Sequence, residues 1–462
     1  MKKLFLVILI VLTTLTGCSQ STQKNESDTI MSGTEKQTNV SAINEAEQAE
    51  YKPPKMEGEI FISAMTEQEF LKIAANKFMQ KYPKVKVKIN AYRGAEKDAG
   101  ESPSEEYSTE KYRNYLNTKI MTGKAEDIIF TAQLPVKKYV DMGVFEDLSR
   151  YLSFSKEINK ENYFMNILES PKDVNGKIFV LPYMCSFQAI SFDSRLVSEN
   201  NNKFDSTMNN ISFEKAAVFG QNLIANTKKK NAYLSQESAT NFLSYILKGK
   251  LKKFIDKENK KANINTQEYI TLLKETKDLI KKGPLLTSSN IDFYNTEYYF
   301  AFRLQNDIQA AFNNLTSGSG DCYALPMSDI DGNIYTNPNY SLGINSASKN
   351  KELAWEFIKY LLSDEIQSSP SLYGLCINKK GFQASIDRNY KLNSNGGESN
   401  VNKEEFKSLL EKWVMQINAY DTIDPVIWDF FTEENSKYFD EKQSAEETAE
   451  VLNSKINKYL NE

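Results

Sequence analysis

The chain has 462 residues, enough for two or three domains. Its 57 basic and 61 acidic side chains leave a net charge of −4, which gives no electrostatic drive toward nucleic acid. Histidine is absent, which removes Ser/His/Asp and Cys/His catalytic sets, HExxH metal sites and imidazole switches. Two lysines, an apolar block from Leu4 to Leu15 and a small-residue exit at Thr16-Gly17-Cys18 predict a secretory leader over 1–17. The apolar block is about half of what a bilayer-spanning helix needs.

Residues 19–55 contain no Leu, Phe or Trp, so they cannot bury enough surface to fold. They read as a disordered tether with ends roughly 30–35 Å apart. Leu15-Thr16-Gly17-Cys18 resembles the lipobox of bacterial lipoproteins. That resemblance implies a mature start at Cys18, a lipid (palmitate-bearing) anchor there, and residence on the outer face of the cell membrane.

Beyond the tether, Glu59 to Ser63 reads as a strand. Phe70, Ile73, Ala74 and Phe78 recur at helical spacing, and Pro83 closes that helix. Val85 to Ile89 alternates with period two, a helix follows over Glu110 to Met121, and Asp127 to Phe130 is a short buried strand. Strand, helix, strand, helix, strand predicts an α/β layer on a largely parallel sheet. Ile178–Pro182 and Ala189–Phe192 are further strands, and 212–300 is mainly helical, with Asn265 as one N-cap and Glu268 behind it. Ile308 to Phe312 is extended, and Asp331-Gly332 reads as a hairpin turn. Asp329, Asp331 and Asn333 do not make a calcium loop, because Ile334 takes the glycine position and the closing glutamate is missing. Asn350 caps a helix through Leu361, with Trp355 as structural filling. Phe406, Leu409, Leu410 and Trp413 mark another, and a last helix runs from about Ser444 to Leu460.

Four stretches resemble the extracellular solute-binding proteins of carbohydrate ABC importers, the family that includes maltose-binding protein. They are Gly123–Ile129, with Glu126 where the family has proline, and Tyr139–Leu148. The third is Gly176–Tyr183 followed by Ala189–Asp193, and the fourth is Leu342–Asn345 followed by Ser348–Ile358. The resemblance implies a two-lobed, type II periplasmic-binding-protein-like α/β fold with a hinge. It places the amino-terminal lobe at 56–186 plus 323–374 and the carboxy-terminal lobe at 187–322 plus 375–462. The crossings then fall near 185–189, 321–325 and 374–378. Cys185, Cys322 and Cys376 each lie at a crossing. Three separate buried thiols is the simplest reading; a disulfide between two of them, or a three-thiolate metal site, are the alternatives.

A sugar presents apolar C–H faces and a hydroxyl rim, so its cleft needs flat aromatics and Asp, Asn, Gln or Arg where strands end. That selects Tyr92 and Arg93, Thr131 and Gln133, and Tyr183, Ser186, Phe187 and Gln188. It also selects Phe312 and Asn313, Asn339 and Tyr340, Tyr373, and Trp428 after Asp424-Pro425. The resemblance implies a monomeric receptor, not an enzyme. It would capture a sugar or oligosaccharide without a cofactor or a metal and deliver it to a permease. The same fold binding a charged ligand (peptide, polyamine, metal chelate or phosphate ester) is an alternative, and one with a carboxylate or phosphate would need a fixed cation such as Arg93 or Arg195. A surface glycosidase using paired carboxylates is the remaining alternative.

Overall fold

The computed structural model describes residues 53–93, 109–199, 208–286, 299–305, 322–372, 374–394 and 402–462. The expected strand at Ile308–Phe312 lies outside them.

Two sheets organise these residues. The first has five strands in the order Val85–Arg93, Gly58–Thr66, Ile128–Phe130, Ser341–Ile344, Leu181–Pro182. Ile62 stands opposite Ile89 on one side and Ile128 on the other, both in parallel register. Only Ser341–Ile344 runs against its neighbours. The second sheet has the order Phe302–Gln305, Ala189–Asp193, Cys322–Ser328, Ile211–Ser212, and only Ala189–Asp193 is reversed. Each reversed strand is the one the chain enters directly from the other sheet. The forward strands end toward the boundary between the sheets, so a chain crossing that boundary starts its new strand there and must run the opposite way.

Local rules account for the elements. The helix Glu69–Lys81 buries Phe70, Leu71, Ala74, Ala75 and Phe78 on one face, and Tyr82, before Pro83, ends it with a backbone outside the helical region. Phe78 meets Phe357 edge-on at 5.3 Å, and burial of each such ring stabilises by roughly 1.5–3 kcal/mol. Trp355 is fully buried, and its indole N–H donates to Ser155 Oγ at 3.1 Å. The closing helix Ala445–Asn461 starts with a complete Ser444/Glu447 capping box.

Three of the four recognisable stretches, the first, second and fourth, converge on one place. Asp127 accepts from Phe61 N (2.8 Å), Ser348 Oγ (2.5 Å) and Asn350 Nδ2 (3.3 Å). Glu146 pairs with Lys351 at 2.7 Å, and Phe145 bridges Asn345. Glu126, standing at the family's proline position, is buried; Lys119 pairs with its charge, and Asn90 Nδ2 donates to Oε1 at 3.0 Å. All these groups gather where Ile128–Phe130 begins and Ser341–Ile344 ends, which is the end of the sheet away from the second lobe.

Several expectations are corrected. Only Leu181–Pro182 of the 178–182 stretch is strand; the Ile178 N–H is taken by Ser149 Oγ and its carbonyl by Leu148 N. Thr266, not Asn265, caps the helix Gln267–Lys281, because its hydroxyl accepts from Tyr269 N. Asn350 sits at a cap position, but its amide is committed to Asp127. The 331–332 turn forms, with Gly332 at φ +87°, yet no hairpin results: Tyr335–Thr336 pairs in parallel with Ala419–Tyr420. Cys322–Ser328 belongs to the second sheet, so the second crossing runs through 329–340 rather than 321–325. The helix Lys379–Ser394, expected with the carboxy-terminal lobe, packs on the first: Phe382 lies 5.1 Å from Phe164. Asn166 likewise donates to the Val414 and Ile417 carbonyls.

Cys185 and Cys376 are buried free thiols, and Cys185 bridges Leu375 where the first and third crossings meet. Burial pushes the Cys376 thiol up to about 11. Cys322 opens its strand opposite Asp193. Among the described residues no helix is long and apolar enough to cross a membrane, and no group of three or more potential metal ligands occurs.

Candidate ligand-binding cleft

Where the forward strands of both sheets end, a cavity of about 330 Å³ opens between the two lobes. Gln133 and Leu134 bound it on the first-lobe side, and Asn241, Tyr245 and Lys248 on the second. The first crossing contributes Ser186, Phe187 and Gln188, and the second Tyr335, Asn337 and Asn339. Asp421, Trp428 and Thr432 close it from the carboxy-terminal segment.

Backbone hydrogen bonds weave these walls together. Asn337 N donates to the Ser186 carbonyl at 3.0 Å, and Met327 N to that of Gln188 at 2.8 Å. Asn339 Oδ1 accepts from Gln133 N at 2.9 Å, which holds Gln133 in a left-handed conformation at φ +63°. Asp329 organises the turn that leads to Tyr335. Its carboxylate accepts from the N–H groups of Asp331 and Asn333, from Asn333 Nδ2, and from the Tyr335 hydroxyl at 2.7 Å. Burial would push Asp329 up, but these bonds hold it below its ordinary value.

Trp428 lies on the helix Pro425–Phe439, which begins at Asp424: that carboxylate accepts from Val426 N, and Pro425 sets the first turn. Trp428 is half-buried, with its inner side near Phe431 at 6.4 Å. Lys248 pairs with Asp421 at 2.7 Å, with its ammonium 5.8 Å from the Tyr335 ring. A smaller recess continues inward from Gln188, Tyr245 and Tyr335 to Glu214. The Glu214 carboxylate oxygen Oε1 is buried without a hydrogen-bond partner among the described residues, and burial raises its pKa above the ordinary carboxylate value. Aromatic faces, side-chain amides and one ion pair suit a hydroxyl-rich ligand with apolar faces.

Of the residues selected from sequence, Gln133, Ser186, Phe187, Gln188, Asn339 and Trp428 line this cavity together. Thr131 and Tyr183 do not. The Thr131 hydroxyl lies 2.9 Å from the Pro338 and Ser341 carbonyls. Tyr183 is 2% exposed, stacked on Phe70. Tyr340 meets Tyr183 edge-on, and Tyr92 packs on Tyr112 and Tyr115, so both sit outside the lining. Arg93 ends its strand. Phe312, Asn313 and Tyr373 lie outside the described residues. Sequence reasoning missed Asn241, Tyr245 and Lys248, whose spacing of four and three residues on one amphipathic helix was the available signal. It also missed Tyr335 and Asp421, which no local pattern marks.

The profile of the family described as "Bacterial extracellular solute-binding protein" matches residues 63–368. The chain belongs to that family. Its fold is also that of solved members. The ABC substrate-binding protein Lmo0181 of Listeria monocytogenes, solved with cycloalternan, aligns with a TM-score of 0.55 at 13% identity, covering 88% of this chain and 99% of that one. The sugar-binding protein MalE of Xanthomonas citri gives 0.56 at 14% identity over 87% and 98%. A periplasmic oligogalacturonide-binding protein of Yersinia enterocolitica gives 0.55 at 14% identity over 87% and 99%. No curated protein matches the chain in sequence. The family is one of extracellular receptors rather than enzymes.

Proposed function

We propose that this chain is a membrane-tethered receptor that encloses a sugar or oligosaccharide between its lobes and presents it to an ABC permease. The observation that carries this reading is the composition of the cleft. Trp428, Tyr335, Tyr245 and Phe187 offer apolar faces, while Gln133, Gln188, Asn241 and Asn339 offer paired donors and acceptors. Its volume of about 330 Å³ falls in the range of small-ligand sites. The solved relatives that bind cycloalternan and oligogalacturonide support a saccharide. The leader at 1–17 is removed, Cys18 carries the lipid, and residues 18–55 let the body reach its transporter. The lobes exchange chain through 183–188, 329–340 and 374–378, and closing moves them about these strands. A ligand that touches both walls favours the closed form; one that touches a single wall shifts nothing.

The test is thermal unfolding and calorimetry against neutral mono- and oligosaccharides beside a charged panel of a peptide, a polyamine and a phosphate ester. A saccharide at 100 times its Kd is expected to stabilise by about 2.7 kcal/mol. If no saccharide shifts the melt and a charged ligand does, the sugar assignment is wrong.

A further inference from the structure

Two hydrophobic cores meet across the cleft without merging. The helix Thr109–Met121 roots Tyr112 and Leu116 in a core with Ile129 and Leu134 of the first lobe. The helix Pro425–Phe439 roots Ile427 and Phe431 in a core with Leu243, Tyr269 and Ala449 of the second. Between these helices, Arg113 Nη2 reaches Asp429 Oδ2 at 2.5 Å, and Arg113 Nη1 donates to the Gln133 carbonyl at 3.3 Å. Nearby, the Lys138 ammonium of the first lobe lies 4.3 Å from the ring centroid of Tyr459, whose hydroxyl donates to Asp424 Oδ2 at 2.8 Å. The first lobe thus supplies two cations and the second two carboxylates and a π face. Gln133 and Trp428, adjacent to these contacts, both line the cavity.

We propose that Arg113 and Asp429, with Lys138 and Tyr459, form an electrostatic clasp that holds the cleft closed, so that closure depends on ionic strength even for an uncharged ligand. This rests on the two-lobed receptor reading above. Arg113 and Asp429 are positioning residues: they bind each other only when the lobes meet, and neither lines the cavity. The Arg113 side chain is 8% exposed and Asp429 52%, so opening returns a largely desolvated guanidinium to water while the carboxylate changes little. Salt acts chiefly on the open form: as the Debye length falls from about 10 Å at 0.1 M to about 3 Å at 1 M, counterions stabilise the separated charges, while the formed, partly buried pair is screened much less. Partly exposed pairs alter binding by roughly two- to fivefold, and close charge pairs at interfaces by more, chiefly through dissociation.

The experiment is small-angle scattering on the full chain carrying C18S, without ligand, at 25 and 500 mM NaCl. The wild-type clasp is expected to give a larger radius of gyration at high salt. D429N is expected to show the expanded form at both salts with its melting temperature nearly unchanged, and D429E to restore the salt response. K138Q, a change at a half-buried position, serves as the second variant should D429N unfold, and is expected to weaken the response. Scattering that ignores salt, with D429N superimposing on the wild type, would overturn the clasp. Because no sugar enters this measurement, it stands or falls apart from the saccharide panel: binding without a salt-dependent closure sinks the clasp alone.

Discussion

Replacing Trp428 isolates the aromatic wall of the cleft. The chain has three tryptophans; Trp355 is fully buried and Trp413 is 2% exposed, so only Trp428 presents its ring to a ligand. An aromatic side chain offers 150–250 Å² in total, and a ligand lying on the open half of the indole covers roughly 100 Å². At ~25 cal/mol per Å² this is about 2.5 kcal/mol, so Trp428→Ala is expected to raise Kd roughly 50- to 100-fold. The fold should tolerate the change, because Trp428 meets the core only at its Phe431 side. Calorimetry with the saccharide found in the panel measures the affinity, and tryptophan emission measures the contact. Trp428→Phe keeps a flat face, so its Kd should rise less than tenfold, yet the ligand-induced emission change should vanish. Wild-type affinity in Trp428→Ala, or a retained emission change in Trp428→Phe, would refute the stacking argument.

Two further outcomes concern the scaffold. Glu434 is buried beside Lys437 and Lys455; burial alone would push it up, but those ammonium groups and Gln443 hold it down from 4.5 to about 2. Its contribution is therefore present above about pH 4.5 and is lost as pH falls toward 2, so Glu434→Gln should reduce stability by about 2 kcal/mol at pH 7 and by much less at pH 3. Urea midpoints at both values check this; an equal loss at both would show that packing, not charge, is responsible. Gly343 sits in the strand Ser341–Ile344, where a Cβ would lie 2.5 Å from Phe145 Cδ1 and 2.9 Å from the Phe179 carbonyl oxygen. Gly343→Ala should destabilise by about 2–3 kcal/mol with an unchanged denaturant slope, and a neutral midpoint would mean the ring moves freely.

The patterns most readable in the chain are short-range ones. Alternation at Val85 and Val87 and the helical spacing of Phe70, Ala74 and Phe78 in the first lobe each depend on neighbours within a few residues, so local chemistry settles them. The same holds for the family stretches: Asp127, Ser348 and Asn350 are recognisable because they lock the base of the sheet, away from the ligand. The cleft end obeys no such local rule. Gln133, Ser186, Phe187, Gln188 and Asn339 follow from knowing that strands end there, and a tryptophan after Asp424-Pro425 was a reasonable candidate. Tyr245, Lys248, Tyr335 and Asp421 come together only because the crossings at 183–188 and 329–340 bring separate elements into one wall. The side of the molecule that takes helix Lys379–Ser394, and the meeting of Arg113 with Asp429, were likewise decided by tertiary packing. Their partners lie hundreds of residues apart, and neither periodicity nor capping carries information over that distance.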